Sequence, residues 1–187
     1  MTPDRFEEIV SGYARLRVVV VGDFCLDRYL EIDPGRAEVS SETGLPEHNV
    51  VRVRSQPGAA GTIVNNLVAL GIGEIMLIGF CGDDGEGYEL RRALAALCGV
   101  DLRHSFATDD RRTFTYTKPL VCATGALPKE LNRLDLKNWT QTSEIVARQI
   151  VEALHDVTHA ASAIVAMDQV ELAETGVITR SVRDALA

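Results

Sequence analysis

The sequence predicts an α/β fold: a doubly wound, mainly parallel sheet carrying a small projecting β-sheet. Three observations predict it. Continuous β-branched runs that close on glycine and acid, such as "RVVVVGD" from Arg17 to Asp23, have the pattern of strands buried on both faces. Amphipathic helical stretches lie between and after these runs, as in sheets wound on both sides. Other segments alternate residue by residue, the pattern of strands with one covered face, and these fit a separate sheet.

Each element follows in order. "MTPDRFEEIVSGYARLR" lacks the charged-then-apolar pattern of an export signal and reads as a leading helix. The first buried strand ends at Asp23, and Asp27 follows in what reads as a loop, "GDFCLDRYL". "EHNVVRVRS", Glu47 to Ser55, alternates. "SQPGAAGTIVNNLVALG" then runs small residues into a helix from Ile63 to Leu70. Glu74 to Gly82 is a second buried strand, followed by a helix over Tyr88 to Leu97 with Asp84 as its cap. Asp101 to Phe106 supplies a fourth strand. In "RTFTYTKPLV", Phe114, Tyr116 and Lys118 share one face while Thr113, Thr115 and Thr117 share the other, and Glu130 to Asn138 alternates too. A helix over Ser143 to Leu154, a strand over Ser162 to Asp168 and a helix over Thr175 to Leu186 complete the set. The expectation is one domain over residues 1–187, with projecting strands near 38–55 and 112–137. The last helix stops without a capping glycine, so the chain reads as the first part of something larger.

Composition narrows the function. Of 187 residues, 46% are apolar and 25% charged, the range of a soluble globular protein. No run reaches the ~20 apolar residues of a membrane span, so no membrane partner is expected. Four cysteines (Cys25, Cys81, Cys98 and Cys122) without C-x-x-C spacing fit free thiols and a cytoplasmic location, and give no zinc site. His155 and His159 stand four apart without an H-E-x-x-H pattern, so no metal site is expected. A net charge of −8 argues against nucleic acid. The sign is uneven: Arg111 to Lys137 holds six basic residues, including every lysine of the chain, and only Glu130 and Asp135 as acids. That window is either a solvated strand surface or a local attraction for an anionic ligand.

In open α/β sheets, ligands bind beyond the carboxyl ends of the strands. Asp23 sits at such an end, where it either caps a turn with Gly22 or meets a ligand, and Asp27 is suited to accept hydrogen bonds from sugar hydroxyls. Gly58, Ala59, Ala60 and Gly61 allow backbone N–H groups to approach a polyol, and the helix that follows offers its unpaired amides to the same ligand. Thr62 is placed to cap that helix and point its hydroxyl into the site. The alternative is a plain turn with close helix packing. The G-x-G-x-x-G spacing of a dinucleotide site is absent. "GFCGDDGEG" reads as a strand-to-helix turn, because Asp83 and Asp84 would repel phosphate.

Together, "VVVVGDFCLDRYL", "PGAAGTIVNNLVALG", "LIGFCGDDGEG", "TFTYTKPL" and "NRLDL" resemble the ribokinase-like (PfkB-type) carbohydrate kinases. Their order and spacing are most similar to the branch that phosphorylates heptose phosphates in bacterial envelope-sugar synthesis. The resemblance covers nearly the whole chain. It implies an α/β sheet with a β-sheet lid over the sugar, and a homodimer joined through the lids. By the same resemblance Asp27 binds sugar hydroxyls; Gly58, Ala59 and Thr62 form the small-residue turn that holds the sugar; Asn66 stands in the helix behind it. Lys118 and Arg133 on the lid suit a substrate phosphate. The partner implied is a sugar or sugar phosphate.

Two departures stand out. Thr62 occupies a slot where the family usually has asparagine, and Ala59 one where a second glycine is common. The family's "GAGD"-type motif, with the base that deprotonates the acceptor hydroxyl, does not occur in these 187 residues. ATP and magnesium are therefore implied for a full-length parent, with no catalytic residue and no tightly held cofactor expected in this chain. The two readings are the sugar-binding and lid portion of an ATP-dependent carbohydrate kinase, and a non-catalytic sugar-binding or assembly module derived from one.

Overall fold

The computed structural model describes residues 1–187. The chain runs through α1 (Pro3–Ser11), β1 (Arg17–Gly22), β2 (Phe24–Ile32), β3 (Glu38–Val39), β4 (Pro46–Glu47), β5 (Val50–Ala59) and α2 (Ala60–Ala69). It continues through β6 (Glu74–Gly82), α3 (Gly85–Ala95), β7 (Val100–Thr108), β8 (Thr115–Val121), β9 (Lys129–Glu130) and β10 (Leu134–Leu136). It closes with α4 (Glu144–Thr158), β11 (Ala163–Met167) and α5 (Arg180–Leu186). No helix is long and apolar enough to cross a membrane.

The β-branched runs form the main sheet, ordered β11-β1-β6-β7, and every pair in it is parallel. Alternate residues of β1 serve two cores. Val19 and Val21 pack with Ile150, Leu154 and Val182 on the side of α4 and α5, while Val18 and Val20 pack with Val64, Leu90 and Leu94 on the side of α2 and α3. Because β6 and β11 flank β1 on opposite sides, the strand order reverses at β1, which opens a crevice at the carboxyl ends of β1 and β11.

The second sheet, ordered β10-β8-β2-β5 with β9 on β8, stands apart from the first. Here the structure corrects the sequence reading. "FCLDRYLEI" is not a loop but the nine-residue strand β2, which starts two residues after β1 ends. Residues 38–47 give a separate two-stranded hairpin, β3–β4, and α5 begins at Arg180 because Thr175 to Thr179 is buried coil. Asp84 caps α3 through Gly87 N–H as the sequence indicates, and Ser143 caps α4 through Val146 N–H.

Asp23 joins the parts. Its side chain is fully buried, with Oδ1 accepting from Val177 N–H at 2.7 Å and Oδ2 from Gln169 N–H at 2.9 Å. Its backbone N–H donates to Met167 O at 3.1 Å and its carbonyl accepts from Ala60 N–H at 3.0 Å. At Gly22 a Cβ would collide with the Met167 carbonyl, so glycine is what lets β1 and β11 close up here. Burial drives the Asp23 carboxyl above the usual carboxylate range, against the two N–H bonds that favour its charge.

We predict that Asp23→Asn lowers unfolding stability by about 1–3 kcal/mol, since an amide leaves one of the two buried N–H groups without an acceptor. The raised carboxyl adds stability that is complete below the unfolded-state value and fades as pH rises through the folded-state value. The wild-type advantage in urea unfolding is therefore largest in acid and narrows toward neutral pH; an advantage that widens with pH would contradict this account.

Candidate functional site

The projecting sheet brings the charged residues together through its register. β2 runs antiparallel to β5 and parallel to β8, and β8 antiparallel to β10. One row across the sheet is therefore Gln56, Asp27, Tyr116 and Asp135. The next row, on the same face, is Arg54, Tyr29 and Lys118, with Arg133 one step beyond the last paired residue of β10. Acceptors and hydroxyls stand in the first row, cations in the second.

The cations are each matched to an acid. Lys118 Nζ donates to Asp27 Oδ1 at 2.8 Å and lies 4.9 Å from the centre of the Tyr29 ring. Arg54 Nε donates to Glu31 at 2.6 Å and its guanidinium lies 4.8 Å from the same ring. Arg133 donates twice to Asp135, at 2.7 and 2.8 Å, and stacks 4.9 Å from the centre of Tyr116. Burial opposes the charge on Lys118, but its bond to Asp27 outweighs that and raises its affinity for the proton. Burial pushes the Tyr116 phenol well up, so it enters the row as a neutral hydroxyl.

Of the residues singled out in the sequence, Asp27, Gly58 and Lys118 meet. A Cβ on Gly58 would lie 2.6 Å from Asp27 Oδ2, so only glycine leaves that carboxylate its place. Ala59 forms the kink between β5 and α2 at φ 50° and ψ −117°, a conformation that glycine adopts freely and alanine does not. Thr62 is not the cap: the capping position is Ala59, which has no side-chain bond to give, and Thr62 lies exposed in the first turn. Asn66 is exposed one turn further along α2, and neither residue bonds to Asp27 or Lys118. Sequence reasoning missed Tyr29, because its strand was read as a loop. It also missed the grouping of Asp135 and Lys137 with Arg133, although their spacing of two in "RLDLK" was the available signal.

The opposite face of the sheet is tied to the main domain. Arg28 bridges to Glu86 at 3.2 Å and Glu89 at 2.6 Å on α3, and Ser55 donates to Glu89 at 2.7 Å. Asp84 accepts from Thr113 N–H at 3.0 Å, from Thr113 Oγ1 at 2.7 Å and from Gly87 N–H at 2.7 Å. Burial would raise its carboxyl, but these bonds and Arg112 hold it below the usual range. Asp84 is thus committed to structure, and no group of three or more His, Cys, Asp or Glu side chains stands together to hold a metal ion.

No family model matches the chain. Bifunctional protein HldE of Citrifermentans bemidjiense is 33% identical over 183 residues, 96% of this chain and 35% of that protein. Its counterpart in Shewanella amazonensis is 32% identical over 150 residues, 79% of this chain and 29% of that protein. Among solved structures, a carbohydrate kinase from Agrobacterium tumefaciens aligns with a TM-score of 0.56 at 20% identity, over 81% of this chain and 45% of that one. Phosphofructokinase-2 from Escherichia coli, in complex with fructose-6-phosphate, aligns with a TM-score of 0.54 at 16% identity over the same shares, 81% and 45%. The chain belongs to the ribokinase-like carbohydrate kinases. It spans about a third of the length of the curated relatives it matches, 35% and 29% for these two. The sheet of β2, β5, β8 and β10 springs from the switch point of the main sheet.

Two neighbouring substitutions test the local geometry with opposite signs. Gly58→Ala is predicted to destabilise by about 1–3 kcal/mol, by forcing a methyl group against Asp27. Ala59→Gly is predicted to stabilise by about 1 kcal/mol, through release of a positive-φ alanine. Thermal unfolding of the two variants checks both; the same sign for both would refute the assigned backbone.

Proposed function

We propose that this chain forms the acceptor-sugar site and lid of a carbohydrate kinase whose acceptor is a sugar phosphate of the heptose class. The carrying observation is the Asp27–Lys118 pair on the inner face of the lid, seated against Gly58. A carboxylate held by one cation keeps lone pairs free for vicinal hydroxyls, and Gly58 leaves room for the sugar ring beside it. Ala59, Thr62 and Asn66 fall on the approach to that space, at the start of α2. The row of Arg54, Lys118 and Arg133 gives the acceptor site a cationic border, which supports an anionic sugar over a neutral one. The likeness to HldE proteins along almost the whole chain supports the heptose class. Magnesium ATP is the donor in this reading, held by residues that this chain does not supply.

The outer face of the lid carries Leu30, Val53 and Leu134, of which Val53 and Leu134 are exposed. In the same reading, a second copy of the chain covers that face.

The proposal is tested by calorimetry with sedoheptulose 7-phosphate as the probe. The wild-type chain is expected to bind it, and Asp27→Ala to weaken binding by about 1–3 kcal/mol, the penalty for buried hydroxyls left without an acceptor. Circular dichroism should show an unchanged fold. Equal affinity in wild type and variant would remove Asp27 from the site and with it the reading.

A further inference from the structure

One aromatic ring on the projecting sheet is shared by two cations. By register, Tyr29 of β2 stands between Arg54 on β5 and Lys118 on β8. The Arg54 guanidinium lies 4.8 Å and Lys118 Nζ 4.9 Å from the ring centre, both inside the ~6 Å reach of a cation–π contact. Glu31 holds Arg54 at 2.6 Å, and Asp27 holds Lys118 at 2.8 Å. The partners therefore run acid, cation, ring, cation, acid.

The Lys118 end is the more constrained. Its side chain is 19% exposed, so water cannot fully replace a missing partner. Its ammonium carries three donors on a flexible four-carbon stem. Asp27 takes one of them, and the Tyr29 hydroxyl, 3.5 Å away, is too distant for more than a weak bond. The ring face is what remains to hold the ammonium from its second side. The other titratable and charged groups on this face are Tyr116, next but one along β8, and Arg133 and Asp135 from β10. Asp135 is already engaged by two bonds from Arg133. Without the ring, Lys118 would keep a single good bond and face a like charge across the row. A long side chain in that position turns out to water. Tyr29 itself belongs to neither hydrophobic core, so its ring is not there to fill one.

We propose that Tyr29 is a positioning residue of the acceptor site: its ring face holds the Lys118 ammonium on Asp27 Oδ1, which leaves Oδ2 turned toward Gly58 for a substrate hydroxyl. The effect on the sugar rests on the acceptor-sugar reading above; the hold on Lys118 does not.

The chain has only three lysines, Lys118, Lys129 and Lys137, so heteronuclear NMR of the lysine Cε–Nζ groups resolves them, and Lys118→Met assigns the signal. In the wild type the Lys118 Cε protons are expected upfield of the other two, shifted by the ring. Tyr29→Leu should abolish that shift and lower the pH at which Lys118 loses its proton. Tyr29→Phe, which keeps the ring and drops the hydroxyl, should retain both. Calorimetry with sedoheptulose 7-phosphate gives the second readout. Tyr29→Leu should weaken binding by roughly three- to tenfold, the scale of a partly desolvated cation–π contact, and Tyr29→Phe should restore it. In a Lys118→Met background Tyr29→Leu should cost nothing further. Lysine signals that ignore Tyr29→Leu, a failure of phenylalanine to rescue, or an equal loss with and without Lys118 would each refute the positioning role, while the acceptor-sugar reading stands as long as the wild type binds through Asp27. If the lysine signals respond as expected but the wild-type chain binds no sugar phosphate, the hold on Lys118 stands and the acceptor-sugar reading fails.

Discussion

A single buried carboxylate organises this molecule. Burying an acid is expensive unless its oxygens are hydrogen-bonded, and Asp23 meets that condition only with backbone N–H groups from the segment that follows β11. The same residue's own peptide groups reach β11 and the first amide of α2. Asp23 therefore fixes three directions at once: where β2 leaves for the second sheet, where α2 begins, and how the segment from Gln169 to Val177 crosses the end of the main sheet. Each of these forms one border of the candidate site. Of the two readings of Asp23, the structural one holds, and the proposed ligand role stays with Asp27, four residues on in β2.

The projecting sheet inherits its position from that junction and is braced by ionic contacts on its back. Arg28 alternates with Asp27 along β2, so one residue faces α3 while the next faces the candidate site. A change of register by one residue would exchange the two and place a guanidinium where the sugar hydroxyls are proposed to bind. The length of β2 and its pairing on both sides make such a slip costly, since nine registered pairs with β5 and seven with β8 would have to move together.

Much of this was legible in the sequence, for identifiable reasons. The buried strands were legible because β-branched residues serve both cores, and the cap of α3 because Asp84 lies just before helical periodicity, whereas Ser143, read as the first residue of its helix, is the cap of α4. β2 was not, because "FCLDRYLEI" mixes four core residues, three of them consecutive, with charges on both faces and therefore shows neither of the simple strand patterns. α5 was overextended because Val177 and Ile178 are buried by tertiary packing around Asp23, which mimics a helical apolar stripe. In the site, Asp27 and Lys118 could be nominated by residue type, but their contact depends on the parallel pairing of β2 with β8, a long-range register that no local pattern encodes. Thr62 was misplaced for a related reason: the helix starts at Ala60, two residues before the first polar side chain able to cap it.

The ion pairs on the projecting sheet differ in how far they are open to solvent. Lys118 and Asp27 are 19% and 16% exposed, so separating them would leave two charges poorly solvated, a penalty that usually exceeds what an incoming ligand returns. Arg133 is 48% exposed, and Glu171, beside Lys137, is 87% exposed. The Lys137–Glu171 pair, open on its acid side, is worth roughly 0–1 kcal/mol, whereas Asp135, 20% exposed, holds Arg133 by two bonds. The same acids that neutralise the lid in the absence of ligand thus sort its cations into two kinds. One cation, Lys118, is paired with Asp27, and two, Arg133 and Lys137, share Asp135. In an acidic protein with a net charge of −8, pairing of this kind leaves no broad positive surface that would attract polyanions indiscriminately.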